Sequence, residues 1–274
     1  MTWLGGATLL LQVGDRRILV DPVVSRVPWW RRPASRARPR IPSETLNHID
    51  AIVATGGAGS RMDPRLLETI SRRTLVVVPT GLGMAFCRRG FNQVVELEAG
   101  EQFTNGNLEL TALPVRQSPG RRFRLRRGMP PTTWPGLVIL ADGASNARGP
   151  ATEPESLWLM KADVGNLAEF RESAELLPRP DAVVIPVSGK RPNWLIRGQR
   201  SSPEQALQTF QATGGRVLIP LPAGSAQDGT AGEIVARVEA CWKRHALDPK
   251  TLLLPRLGEA IDIPGRSYPA PSDR

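Results

Sequence analysis

The groups able to carry chemistry in this 274-residue chain are few and unevenly distributed. It has two histidines, His48 and His245, and two cysteines, Cys87 and Cys241, with each pair widely separated in sequence. Such numbers speak against catalysis by a histidine cluster, a cysteine-based zinc site or a disulfide framework. A Cys–His nucleophile is also unsupported, because both cysteines fall in helical, partly apolar contexts that suit packing. His48 precedes a strand-like run and His245 falls near the end of a late helix, which suits surface or capping duty.

Guanidinium is the abundant group. Of 36 basic residues only Lys161, Lys190, Lys243 and Lys250 are lysines, and with 26 acidic residues the formal charge is +10. A GC-rich genome accounts for part of this arginine excess; the clustering says more. Arg31, Arg32, Arg36, Arg38 and Arg40 form one group, Arg121, Arg122, Arg124, Arg126 and Arg127 a second, and Lys190, Arg191, Arg197 and Arg200 a looser third. Guanidinium groups match phosphate and carboxylate through planar, bidentate hydrogen bonds. A basic run is also an ordinary solvated loop. Trp29, Trp30, Trp134 and Trp194 lie in or near these runs, where each either stacks a base or partner or closes a loop onto the core.

The elements that must position these groups follow from hydrophobic patterning. Residues 7–13 and 16–20 read as paired strands about the Gly14-Asp15 turn. Residues 22–45, rich in proline and arginine, read as a long irregular loop. Ala51–Thr55 is a short buried strand running into the glycine-bearing stretch Gly56-Gly57-Ala58-Gly59. Further strands fit 74–79, 94–97, 108–115, 137–141, 157–160, 182–187 and 217–220. Helices fit the stretch from Pro64, where proline suits a first turn, and 81–89, 167–177, 203–212 and 231–246. Early strand pairs followed by strands alternating with helices predict a mixed α/β fold with helices covering β-sheets. No 20–50-residue repeat is visible, and no linker divides the chain. One domain over residues 1–264, with a loose tail at 265–274, is expected. No apolar run approaches the ~20 residues needed to cross a bilayer, and the opening Met1–Gly5 lacks a basic leader, so a cytoplasmic protein is expected.

The order of these pieces resembles the metallo-β-lactamase fold, in the branch of ascorbate-6-phosphate lactonase and the phospholipase D acting on N-acyl-phosphatidylethanolamine. Thr2-Trp3-Leu4-Gly5-Gly6-Ala7-Thr8 is similar to that branch's opening T-W-L-G-H-A-T, and Ile18-Leu19-Val20-Asp21-Pro22 to its second strand and Asp-Pro turn. Asp50–Thr55 resembles the strand feeding the metal loop. Val77–Gly83 and Arg89-Gly90-Phe91 resemble the next strand and helix, and Val187–Pro203 with Ile219-Pro220 the last landmarks. The resemblance covers roughly residues 1–263 and implies an αββα sandwich, two mixed sheets flanked by helices.

It also implies a metal centre of histidine nitrogens and carboxylate oxygens, which polarises substrate and generates hydroxide. The family motif H-x-H-x-D-H corresponds here to Gly56-Gly57-Ala58-Gly59-Ser60-Arg61, so the ligand positions hold Gly56, Ala58, Ser60 and Arg61. Glycine and alanine offer no donor, serine is a poor one and arginine is a fixed cation. The later histidine positions correspond to Gln117, Arg200 and Pro222, and the opening one to Gly6. Asp163 alone keeps the family's bridging carboxylate. The implied site is therefore degenerate, with no metal or other cofactor expected.

Arg61 and Arg200 stand at former ligand positions and Arg116 adjoins another, so guanidinium near Asp163 would replace the metal's charge. The expectation is an anion-binding cleft built from Arg61, Arg116, Gln117, Asp163 and Arg200. Three functions follow: a non-catalytic binding or scaffolding subunit that takes a protein partner or anionic ligand; a metal-independent hydrolase of an anionic ester, lactone or phosphodiester; and nucleic-acid binding through the arginine loops. The second needs a poised base or nucleophile, and Asp163, Asp142, Ser60 and Ser118 are its candidates, none with a visible histidine partner. An apparent insertion at 143–155 is a further candidate interaction loop.

Overall fold

The computed structural model describes residues 1–5, 7–13, 16–22, 48–55, 64–113, 134, 136–141, 155–160, 167–188, 201–222 and 230–263. Their strands form two six-stranded sheets. The first runs, in spatial order, β1 (Thr2–Gly5), β2 (Thr8–Val13), β3 (Arg16–Val20), β4 (Ala51–Val53), β5 (Leu75–Pro79) and β6 (Gln93–Leu97). Strands β1 to β3 are antiparallel, and β3 to β6 are parallel. The second sheet holds β7 (Gln102–Asn105), β8 (Leu108–Ala112), β9 (Gly136–Ala141), β10 (Glu155–Met160), β11 (Ala182–Val187) and β12 (Val217–Pro222). It is antiparallel from β7 to β10 and parallel from β10 to β12.

Side-chain alternation explains why these strands stack. In a strand successive side chains face opposite sides. Ile18, Val20, Ala51, Val53, Leu75 and Val77 face Leu110, Ile139, Leu159, Val184 and Ile219 of the other sheet. The alternate residues Leu19, Ile52, Val76 and Val78 face outward onto Leu67, Phe86 and Phe91, the layer carried by α1 (Pro64–Glu68) and α2 (Gly83–Cys87). Across the molecule Val138, Trp158, Val183 and Ile185 meet Phe170, Phe210, Val238 and Trp242 from α3 (Leu167–Glu175), α4 (Pro203–Thr213) and α5 (Thr230–Arg244). Strands covered on both faces need continuous apolar runs, and Ala51–Val53, Leu75–Pro79 and Val217–Pro222 supply them. The expected αββα sandwich is the architecture observed.

Boundaries differ where local chemistry stops an element. Helix α4 follows the pattern most closely: Ser202 caps it, Gln205 completes the capping box, and Gly214 ends it at φ 63°. The helix expected over 81–89 is only Gly83–Cys87, and the strand expected over 108–115 ends at Ala112. Strand β12 continues to Pro222 rather than stopping at Pro220. Its prolines fit because Leu218 O accepts from Leu253 N–H (2.9 Å) on the outer side, so residues of that parity turn away from β11. A missing N–H there costs no ladder bond. Strand β7, not expected from the sequence, is a polar edge strand whose Gln102 and Thr104 are exposed. The segments 22–45 (from 23), Gly14-Asp15, 56–59 and 265–274, each assigned from the sequence as loop, turn or tail, lie outside the described residues.

Candidate functional site

Both sheets deliver the carboxyl ends of their parallel strands to one edge of the sandwich, and Trp134 demonstrates it. Its backbone N–H donates to Thr55 O (3.0 Å), beyond β4, and its indole Nε1–H donates to Leu97 O (3.0 Å), at the end of β6. Two residues later β9 begins with Gly136, opposite Met160 at the end of β10. Open α/β sheets bind ligands beyond the carboxyl ends of their strands. This is the candidate site.

A hydrogen-bonded clamp fixes Thr55, just beyond the carboxyl end of β4. The Asp21 carboxylate accepts from Thr55 N–H and from Thr55 Oγ1–H, both at 2.7 Å. Asp21 N–H donates to Val53 O (2.8 Å), and Thr8 Oγ1–H donates to Asp21 O (2.8 Å). Asp21 sits at φ 42°, the left-handed region that aspartate tolerates better than most residues. Thr8 and Thr55 are both buried. The residue immediately before the stretch 56–63 is thereby held on three sides. A second stitch joins the residues on either side of 189–200: Ser188 N–H donates to Ser201 O (2.9 Å) and Ser201 N–H to Pro186 O (3.1 Å).

The flanks of the segments that carry the expected ligand positions meet at this edge, whereas Ala141, which precedes the candidate Asp142, pairs with Glu155 at the start of β10 and so stands at the opposite, amino edge of the second sheet. Thr55 precedes Gly56, Ala58, Ser60 and Arg61. Leu113, donating to Gly136 O (3.1 Å), precedes Arg116 and Gln117; Met160 precedes Asp163, and Ser201 follows Arg200. Those residues, with Gly6, Ser118, Asp142 and the segments 31–40, 121–127, 143–154 and 190–200, lie outside the described residues. Pro222 is described: it is the buried last residue of β12, paired with Val187, rather than a residue beyond the strand. Trp134 is 1% exposed, which removes it from the candidate stacking residues and makes it a brace between the sheets. Trp29, Trp30 and Trp194 lie outside the described residues.

The sequence reading missed Asp21 as a positioning residue. The Asp-Pro dipeptide read only as a turn; its bonds to a threonine 34 positions away emerge from strand pairing.

The chain's imidazoles do not fit a metal at this edge. His48 is exposed and precedes Asp50, whose N–H is bonded to Arg17 O at the opposite, amino edge. About 16 Å of extended chain separates Asp50 from Thr55. His245 is exposed and follows Arg244, at the far end of a helix about 22 Å long on the outer face of the second sheet. Metal–imidazole bonds span only ~2.0–2.1 Å. Cys87 is exposed at the end of α2, and Cys241 is on the buried face of α5, where burial first and then the Glu204 charge push its thiol pKa up. Among the described residues no three His, Cys, Asp or Glu side chains are grouped to hold a metal ion.

A family profile described as "Beta-lactamase superfamily domain" matches residues 16–221. The chain belongs to the metallo-β-lactamase fold superfamily. A curated relative, the N-acyl-phosphatidylethanolamine-hydrolyzing phospholipase D 1 of Caenorhabditis elegans, is 24% identical over 245 residues, covering 84% of this chain and 65% of that protein. The chain thus spans about two-thirds of that relative's length. Among solved structures, the isothiocyanate hydrolase from Delia radicum gut bacteria superposes with a TM-score of 0.66 at 17% identity, covering 96% of this chain and 98% of that one. Igni18, a metallo hydrolase from the archaeon Ignicoccus hospitalis KIN4/I, gives 0.59 at 18% identity, covering 95% and 96%. At these identities the two structures show a shared fold. No helix among the described residues is long and apolar enough to cross a membrane.

Proposed function

We propose that this chain is a catalytically inactive member of its hydrolase-rich superfamily, kept as a binding or scaffolding subunit whose former metal cleft is cationic. One observation carries the reading: the protein's two imidazoles stand away from the carboxyl edge, one at the amino edge and one in the outer helical layer. Zinc hydrolases of this kind need histidine nitrogens where the reaction occurs. In this reading Asp163 is paired with guanidinium from Arg61 and Arg200 in place of metal, and Arg116 and Gln117 extend the anion-binding surface. An uncompensated buried carboxylate is costly, and a paired one is far less so. The occupant is a protein partner or an anionic ligand. A single domain over 1–264 with a tail at 265–274, and a cytoplasmic setting, belong to the same proposal.

The test is a hydrolysis screen against phosphodiesters, N-acyl-phosphatidylethanolamine and lactones, with and without added zinc, manganese and iron. No turnover above a buffer control is expected. Turnover abolished by Asp163→Asn overturns the reading in favour of a divergent hydrolase. Affinity purification with the wild-type protein and an Arg61→Glu/Arg200→Glu variant then identifies the occupant, which is retained only by the wild type.

A further inference from the structure

Away from the cleft, the sequence holds three Arg-Arg pairs, and the fold brings them together. Arg16-Arg17 opens β3, Arg72-Arg73 precedes β5, and Arg88-Arg89 precedes β6. The parallel register Ile18↔Ala51↔Leu75↔Gln93 sets Arg17, Asp50, Thr74 and Asn92 at one level, with Arg16 and Arg73 one residue further out. Cross-strand bonds confirm the level: Asp50 N–H to Arg17 O (2.9 Å) and Asn92 N–H to Arg72 O (3.0 Å). With neighbouring strands ~4.8 Å apart, the row spans about 14 Å along the amino edge of the first sheet.

Three of these guanidiniums are held in place by uncharged groups. Arg17 Nε–H donates to the Gln12 carboxamide (3.2 Å), Arg72 to Leu67 O (2.8 Å) and Arg89 to Ala85 O (2.5 Å). Arg72 also lies over the Phe91 ring at 5.0 Å. All these acceptors are uncharged. The described acids at this edge are Asp50 and Glu68, and neither forms an ion pair with these arginines; Asp50 accepts the Arg17 backbone N–H at 2.7 Å. By contrast, at the amino edge of the second sheet Arg216 is paired with buried Asp181 at 3.2 Å.

We infer that the arginine row on the amino edge of the first sheet is a docking surface for the phosphate backbone of a nucleic-acid duplex. A row of guanidiniums, three of them held by uncharged acceptors and none ion-paired among the described residues, meets the dense, regular charge of a duplex and releases its counterions. The rest of the edge argues against the other anionic surfaces. Phe91 is buried beneath Arg72, so it offers no ring to an unpaired base. Among the described residues the exposed large apolar side chains Leu176 and Leu257 lie outside the row, and Met84, one turn before Arg88, is the single one beside it, which is too little apolar surface to enter a bilayer. Contacts limited to phosphates bind without sequence preference. This surface is separate from the cleft and independent of whether the cleft retains catalysis.

The experiment is fluorescence anisotropy of the full chain with a short labelled DNA duplex between about 50 and about 200 mM salt, where phosphate contacts are read from the salt slope. The wild type is expected to bind, with log K falling about 0.9 per log unit of salt for each phosphate neutralised. Arg73→Glu/Arg88→Glu/Arg89→Glu is expected to weaken binding at least tenfold at low salt and to flatten the slope by about two to three. Arg237→Glu/Lys243→Glu/Lys250→Glu, equal in charge change and exposed on the second-sheet side, is expected to leave both nearly unchanged. Arg72 is left intact because it packs on Phe91, and the same three sites changed to glutamine give a milder variant if the reversal fails to fold. Three results overturn the proposal: no duplex binding, equal losses in both triple variants, or tighter binding to phosphatidylserine vesicles or polyglutamate than to the duplex.

Discussion

At the carboxyl edge three described side chains spend their polar groups on the fold itself, whereas at the amino edge of the first sheet three arginines are left exposed. Asp21 directs both carboxylate oxygens at Thr55, and Trp134 donates its indole N–H to Leu97 O. Arg73, Arg88 and Arg89 instead stay exposed, with no carboxylate partner among the described residues. The difference teaches where each kind of residue acts. Asp21 and Trp134 hold residues that flank the segments carrying the expected ligand positions, while Arg73, Arg88 and Arg89 stand exposed and are expected to contribute little to stability.

Breaking the clamp gives the largest expected effect. Asp21→Ala leaves the buried Thr55 N–H and hydroxyl without their acceptor, at about 2–4 kcal/mol. Urea denaturation should show this loss, with Asp21→Asn losing less because asparagine tolerates the left-handed backbone and keeps one acceptor. Equal stability for Asp21→Ala and wild type would dissolve the distinction between the edges. Trp134→Phe keeps most of the buried ring but removes the donor to Leu97 O, at about 1–2 kcal/mol, measured in the same way.

The amino edge should answer oppositely. Arg88→Ala is expected to change stability by no more than about 0.5 kcal/mol, as surface substitutions usually do. A larger loss would mean that these arginines serve the fold.

An ion pair on the outer helices supplies the baseline. Glu204 has its carboxyl pKa lowered, chiefly by a backbone hydrogen bond at the start of α4 and then by Ser202 and Arg244, and Arg244 lies 3.6 Å away. A lowered folded-state pKa adds stability that is complete above the unfolded value, near 4.5, and is lost as pH falls through the folded value. Both side chains are more than half exposed, so solvent screening keeps the effect small. Urea midpoints of wild type and Glu204→Gln should differ slightly at neutral pH and converge in acid.

Much of the fold was legible because buried parallel strands advertise themselves. Leu75–Pro79 and Ala182–Val187 are unbroken apolar runs, and Ser202-Pro203 with Gln205 spells a helix start. Strand β7 was not, since an exposed edge strand such as Gln102–Asn105 needs no apolar alternation. The ligand positions are assigned only through family resemblance; Pro222 proves to be the last residue of β12, and the others lie outside the described residues. Asp21 and the arginine row escaped notice for one shared reason. A contiguous basic run such as residues 121–127 stands out by eye, whereas Arg17, Arg73 and Arg89 become neighbours only after β3 to β6 align in register.

The most direct test of the central claim is the metal content of protein purified without chelators, measured by inductively coupled plasma mass spectrometry alongside zinc competition with a chromogenic chelator. The account predicts far less than one equivalent of zinc, iron or manganese and no site that competes with the chelator. One tightly held equivalent, released by Asp163→Ala while the fold persists, would contradict it.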